Sequence, residues 1–309
     1  MCIRTSVTYL TFFILLFNTA SCKKSSIEII DKQQQEQNNT EEPDEPESTV
    51  AEKGLPQNYA DYQVEGGYHV PCYKGSTDAE LGYYIFFSDQ YITKTEPSAV
   101  LIFLHGSGER GNSEIDPGQL SLAIMHGPGK LIKEGDWKDK NDLLVVSVQT
   151  SAGRWDPKAI KDFINYLISH YDINERQVYL TGLSMGGTGV YDYLGTYGNE
   201  AGIAAAVPIC GRAPSIERVK SDYVHNLAST PIWAFHGESD PQVPVALSKD
   251  IVSAINETNP AIKAELTLYP GVGHDSWTMT YDGTGMGREN KEFTPFATDI
   301  YSWLYQYHK

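Results

Sequence analysis

Positive charge is scarce in this chain: 24 Lys and Arg face 40 Asp and Glu, for a formal net charge of -16. So acidic a surface repels phosphate backbones and anionic headgroups, which disfavours nucleic acid and anionic lipid as partners. Cysteine is scarcer still, at four residues. Cys2 and Cys22 stand in the first 22 residues, so a disulfide within the rest could only join Cys72 to Cys210. The sequence leaves a pair and two separately buried thiols equally open. The eight histidines are scattered, none at ligand-like spacing from Cys or carboxylate, so no metal site is expected. A G-x-x-x-x-G-K-[ST] pattern is missing, which removes the usual phosphate-cradling loop. Beyond residue 22 no apolar run is long enough to cross a bilayer; Val100 to Leu104 is typical, strand-sized and ended by turn residues. Neither an internal repeat nor a Pro/Gly/Ser-rich linker divides residues 59–309, which therefore read as one domain.

What is present begins with an export pattern. Arg4 precedes an apolar stretch from Val7 to Phe17, and Thr19, Ala20 and Ser21 lead to Cys22. An eleven-residue stretch is too short to span a bilayer comfortably, so residues 1–22 read as a cleaved signal peptide. The placement of Cys22 resembles a bacterial lipoprotein signal, which implies acylation of Cys22 and a domain exported and lipid-anchored at a bacterial membrane, periplasmic or at the cell surface. Residues 23–58 are rich in Gln, Asn, Glu, Pro and Lys with almost no aromatic residue, a composition that cannot bury apolar surface, and read as a disordered tether. The membrane is then touched only through the lipid.

Within the domain, two short aromatic and β-branched runs between Tyr68 and Tyr91, separated by Gly75 to Glu80, predict an antiparallel hairpin at a sheet edge. The pattern then changes to continuous short apolar runs: Val100 to Leu104, Leu143 to Val148, Val178 to Thr181, Ile203 to Ile209, Ile232 to Phe235 and Leu266 to Tyr269. Such runs are strands buried on both faces. Helical spacing lies between several of them, most clearly from Pro157 to Tyr171, where Ile160, Phe163, Ile164, Leu167 and Ile168 recur after Asp156 and Pro157. Alternating strands and helices predict an α/β fold with a doubly wound, mostly parallel sheet. Ligands in such sheets bind beyond the carboxyl ends of the strands.

The residues that carry chemistry stand at those ends. Gly182-Leu183-Ser184-Met185-Gly186 follows a strand and precedes a helix-compatible stretch, the G-x-S-x-G arrangement that presents a serine hydroxyl on a sharp turn. A hydroxyl needs a base to become a nucleophile, and the base needs a carboxylate to orient it. His274, in Gly271-Val272-Gly273-His274-Asp275 after the last strand, is the expected base. Asp240, in His236-Gly237-Glu238-Ser239-Asp240-Pro241 after the preceding strand, is the expected acid, with Glu238 and Asp275 as rivals. Ser184, Asp240 and His274 also occur in the chain order of this fold. His105 and His236, each before a glycine at a strand end, read as loop braces. His105-Gly106-Ser107-Gly108-Glu109-Arg110-Gly111 follows the first long strand. There the backbone of Ser107, with Gly106 as alternative, can join that of Met185 in an oxyanion hole. Trp155 and Trp277 are candidates for an aromatic wall around substrate, with core packing the alternative. Gln149 ends its strand without a catalytic assignment, and residues 116–139 leave open whether they form a lid.

Together these motifs, spanning roughly Val100 to Trp277, resemble the esterase-type α/β-hydrolases. More narrowly they resemble bacterial secreted carbohydrate esterases, of the feruloyl and acetylxylan type, and peptidase-like relatives of prolyl oligopeptidase. The resemblance implies the α/β-hydrolase fold and hydrolysis of an acyl ester, carbohydrate-linked, through an acyl-enzyme that needs no cofactor. A serine peptidase or amidase using the same residues, and a glycan-binding lipoprotein with a vestigial triad, are the alternatives.

Overall fold

The buried strands form one mixed sheet. A computed structural model describes residues 54–138, 142–213 and 221–309. The signal segment, Cys22 and the tether up to residue 53 lie outside the described residues, as does Asp139. Nine strands are present among them: β1 (Gln63–Val64), β2 (Gly67–Cys72), β3 (Gly82–Ser88), β4 (Ser98–Leu104), β5 (Leu144–Gln149), β6 (Ile173–Leu183), β7 (Ala205–Ile209), β8 (Trp233–Gly237) and β9 (Glu265–Tyr269). Their order across the sheet is β1-β2-β3-β5-β4-β6-β7-β8-β9. β1, β2, β3 and β5 pair antiparallel in succession, and every pairing from β5 through β4 to β9 is parallel. The predicted edge hairpin is β2 and β3, in register from Gly67 opposite Ser88 to Cys72 opposite Tyr83.

Strands β4, β5, β7 and β8 are buried along their whole length because both faces are covered. Along β4, Val100, Ile102 and Leu104 enter one core cluster while Leu101 and Phe103 enter the other. The helices are α1 (Asp89–Thr93), α2 (Gly127–Glu134), α3 (Pro157–His170), α4 (Met185–Tyr197), α5 (Ser221–Leu227), α6 (Ala246–Glu257), α7 (Trp277–Tyr281) and α8 (Ile300–Leu304). The first cluster takes in residues of α3, α4 and α6, the second those of α2, α7 and α8. α3 starts as the sequence predicts, with Asp156 accepting the N–H of Lys158 at 2.9 Å and Pro157 in the first turn, and it buries Ile160, Phe163, Ile164 and Leu167. Residues 117–124 form a 3-10 helix that buries Leu120, Ala123 and Ile124, so the segment before α2 is packed onto the domain.

Cys72 and Cys210 are both free and buried, and each belongs to a different core cluster, one on either side of the sheet. Of the two readings open in the sequence, the separate thiols stand. Burial pushes the Cys72 thiol up to about 11 and the Cys210 thiol up to about 12. No helix among the described residues is long and apolar enough to cross a membrane.

Candidate active site

Ser184 sits where β6 turns into α4, with φ 52° and ψ -113°. A side chain in that left-handed region is strained, and the strain is held by the surroundings: its N–H donates to Ile209 O at 2.9 Å. The flanking glycines are required by space. A Cβ on Gly182 would lie 2.5 Å from the Gly186 carbonyl carbon, and a Cβ on Gly186 would lie 1.9 Å from Leu104 O. Strand β4, the turn and the first turn of α4 thus touch backbone to backbone.

The base and acid arrive from the next loops. His274 Nε2 lies 2.8 Å from Ser184 Oγ, and His274 Nδ1 lies 2.7 Å from Asp240 Oδ2. An ionised carboxylate only accepts, so Nδ1–H donates to Asp240 and Nε2 is left to accept the serine proton. Asp240 Oδ1 accepts the backbone N–H groups of Gln242 at 2.8 Å and Val243 at 3.0 Å. The buried site opposes the charge on Asp240. The hydrogen bonds from His274, Val243 and Gln242 outweigh that penalty and hold its carboxyl below the ordinary 3.8. The rival carboxylates are engaged elsewhere: Asp275 accepts from the N–H and hydroxyl of Thr278 at 3.0 Å, and Glu238 accepts from Asn290 Nδ2 at 2.9 Å.

His236 does more than brace a loop. Its side chain is fully buried, and Nε2 faces both Asp240 Oδ2 at 3.1 Å and Val243 O at 3.0 Å. Both partners are acceptors, so Nε2 carries the proton, and Nδ1 accepts from the Ser248 hydroxyl at 2.8 Å. Burial lowers the His236 pKa more than these acceptors raise it, so the ring holds Asp240 as a neutral donor. The sequence signal was its spacing, four residues before Asp240 at a strand end.

The expected oxyanion donors, Ser107 and Met185, occupy the first positions of the 3-10 turn Ser107–Glu109 and of α4, where an N–H has no partner within its own helix. Gly106 lets the two loops pack closely, since a Cβ there would stand 2.7 Å from Leu183 Cδ1, the residue before Ser184. The peptide is fixed from behind. Arg110 Nε donates to Ser107 O at 2.8 Å, and His105 Nε2 accepts the Thr150 N–H at 3.1 Å, which leaves Nδ1–H to donate to Gly106 O at 2.6 Å. Burial takes the His105 pKa down to about 4, so this brace is neutral.

Of the two tryptophans, only Trp277 is beside the site, edge-on to His274 with ring centroids 5.4 Å apart. Trp155 is a correction to the sequence reading: it is 2% exposed, packs on Gly189 and donates its indole N–H to His105 O at 3.0 Å. A buried indole needs an acceptor, and the one it finds turns the ring inward against the loop that follows β4. Gln149 likewise serves structure, donating to Gln119 O at 2.5 Å and Glu109 O at 3.4 Å. Glu109 and His126 were not singled out in sequence, yet Glu109 Oε2 lies 2.8 Å from where a Gly106 Cβ would stand and Oε1 lies 3.7 Å from His126 Nε2. No cluster of three or more His, Cys, Asp or Glu that could hold a metal occurs among the described residues.

Residues 152–282 match the family model described as phospholipase/carboxylesterase. No curated protein matches the chain in sequence. Among solved structures, a thermostable esterase is 24% identical over 80% of this chain, with a TM-score of 0.59, and this chain covers 64% of its length. An esterase from Thermogutta terrifontis is 14% identical (68% of this chain and 84% of that one, TM-score 0.48), and a ferulic acid esterase is also 14% identical (70% and 93%, TM-score 0.48). The sheet order, the strained serine turn between β6 and α4, and the likeness to the thermostable esterase together establish that the chain has the α/β-hydrolase fold.

Proposed function

We propose that the protein is a serine hydrolase of carboxylic esters. The observation that carries the reading is the unbroken hydrogen-bonded row Asp240–His274–Ser184, set at the carboxyl ends of β8, β9 and β6. The match of residues 152–282 to the phospholipase/carboxylesterase model supports it independently.

The geometry supplies each step. His274 Nε2 takes the Ser184 proton as Oγ attacks the ester carbonyl, and the N–H groups of Ser107 and Met185 receive the charge that develops on the carbonyl oxygen. His274 then gives that proton to the departing alcohol oxygen as the C–O bond breaks, leaving an acyl group on Ser184. Water, deprotonated by His274, attacks this ester; the acid leaves and Ser184 regains its proton. Asp240 stays ionised and stabilises the imidazolium in both halves. No step needs a cofactor.

The favoured substrates are feruloyl or acetyl groups on plant-type oligo- or polysaccharide. Trp277 beside the base and the motif resemblance to carbohydrate esterases support this choice. The domain acts exported and tethered through lipid on Cys22, by the resemblance of residues 1–22 to a lipoprotein signal. Radiolabelled palmitate incorporated by the full chain and lost in Cys22→Ala is the expected result for the anchor. The first test of activity is turnover of p-nitrophenyl esters, feruloyl and acetylated xylo-oligosaccharides and aminoacyl amides, alongside Ser184→Ala. Ester turnover that disappears in Ser184→Ala, with fluorophosphonate labelling of the wild type, is expected. No turnover and no labelling would sink the proposal in favour of a binding protein.

A further inference from the structure

Arginine is rare in this acidic chain, at seven residues, and it is unevenly placed. Arg110, Arg154 and Arg212 stand in the loops that follow β4, β5 and β7. In the sheet order β5-β4-β6-β7 those loops lie on both flanks of β6, whose end carries Ser184. All three arginines are exposed. The ion pairs among the described residues are made by lysines and histidines, and these three guanidinium groups take part in none.

Two of the three are held by the loops of the site. Arg110 Nε donates to Ser107 O at 2.8 Å, on the residue whose N–H is placed at the oxyanion. Its Nη1 lies 3.9 Å from where a Cβ on Gly153 would stand, in the loop after β5. Arg212 donates its backbone N–H to Thr188 Oγ1 at 2.9 Å and its Nη2 to Gln242 O at 3.3 Å, beside the loop of Asp240. The carboxylates nearby are engaged: Asp240 with His274 and His236, Asp275 with Thr278, Glu114 with Lys74, and Glu109 turned towards His126. Arg154 differs. Burial raises the Asp192 carboxyl on α4, and the Arg154 charge opposes that rise, so Arg154 already has a carboxylate to serve.

The base fixes which half of an ester meets this charge. His274 Nε2 has to reach the leaving oxygen, so the alcohol sits on the flank of β8 and β9 and the acyl half points away from it, towards the flank of β4 where Arg110 stands. With Nε engaged, Arg110 presents the Nη1 and Nη2 edge, whose parallel N–H groups match the two oxygens of a carboxylate. We infer that the protein also hydrolyses esters whose acyl group ends in a carboxylate, the half-esters of dicarboxylic acids. Arg110 pairs that carboxylate, and Arg212 adds to the local field that draws the anion in. The rest of the surface, on a chain of net charge -16, repels such an ester, so the attraction is confined to the mouth of the site and weakens with salt. The bond changes are those of ester hydrolysis: water is added across the acyl C–O bond, and the alcohol and the dicarboxylate leave. The inference adds a substrate class to the ester-hydrolase reading above and rests on it.

The test compares two methyl esters whose acyl chains have the same length, monomethyl adipate and methyl hexanoate. Initial rates are followed by base uptake at constant pH for wild type, Arg110→Gln and Arg212→Gln. Monomethyl adipate is expected to be turned over by wild type. Arg110→Gln is expected to lower the ratio of kcat/KM for monomethyl adipate to that for methyl hexanoate about tenfold, chiefly through KM, and Arg212→Gln to lower it about threefold. In wild type, which needs no substitution to be read, raising the ionic strength from about 0.02 M to about 0.5 M is expected to lower the same ratio about threefold or more. Turnover of methyl hexanoate with a ratio that moves less than about twofold with salt and in Arg110→Gln would overturn the inference while the hydrolase reading stands. Equal losses on both esters in Arg110→Gln would make Arg110 a brace of its loop and overturn it too. Failure of both esters together with no fluorophosphonate labelling would overturn the hydrolase reading and this inference with it.

Discussion

At the scale of single residues, Asp240 concentrates the most interactions: it receives His274, His236 and two backbone N–H groups. Asp240→Asn keeps the shape and removes the charge that fixes the His274 tautomer, so kcat is expected to fall about 10⁴-fold with KM little changed, as steady-state kinetics would show. His236 holds the same carboxylate without touching substrate. His236→Ala removes a buried donor and opens a cavity, which is expected to lower the unfolding free energy by about 3 kcal/mol in urea titrations. The hydrogen-bonded row Ser184–His274–Asp240 was legible because the proposed chemistry needs three particular residue types at strand ends in a set order, and residue type is what a sequence displays. Trp155 was not. An aromatic residue after a strand end reads the same whether it faces a cleft or the core, and only the position of its acceptor, His105 O, decides. Glu109 stood inside the motif quoted for its glycines, but its missing partner is a property of packing.

Secondary-structure elements meet at the serine turn with almost no clearance. Gly186→Ala drives a Cβ to 1.9 Å from Leu104 O, a backbone atom that cannot move without shifting β4. The expected cost is about 3 kcal/mol or more, with loss of activity, read by thermal denaturation and ester assay. Gly108→Ala meets nothing within 4 Å and serves as the matched comparison, expected to change stability by no more than about 0.5 kcal/mol. Strand positions were readable from apolar runs and their lengths were not. β6 begins at Ile173, five residues before the run that marks it, because Asn174, Glu175, Arg176 and Gln177 give no apolar signal. Ile173 is nevertheless paired with Ser98, and the register shifts before Val100. The order of strands, with β4 inserted between β5 and β6, depends on crossovers that leave no mark in local composition.

Over the whole molecule, burial of neutral imidazoles makes stability depend on pH. His105 is taken down to about 4 and His69 to about 3, and His236 is lowered as well, burial being the leading cause in each case. In the unfolded chain these rings titrate near 6.5. Between pH 6.5 and the folded values the unfolded chain binds more protons, so stability is full above 6.5 and falls as the pH drops. For His105 alone the loss is about 2 kcal/mol by pH 5. Urea midpoints at pH 7 and pH 5 check this, and His105→Gln is expected to shrink the difference between them. The sheet order also bears on how the site assembles. The imidazole rides on the loop after β9, an edge strand whose one strand partner among the described residues is β8 and whose outer side bonds Asn290 and Thr294, while the hydroxyl belongs to the central β6. After dilution from denaturant, catalytic competence is therefore a clock for the last event: recovery of turnover is expected to lag the return of the far-ultraviolet circular dichroism signal, because the final strand must dock before the proton relay exists.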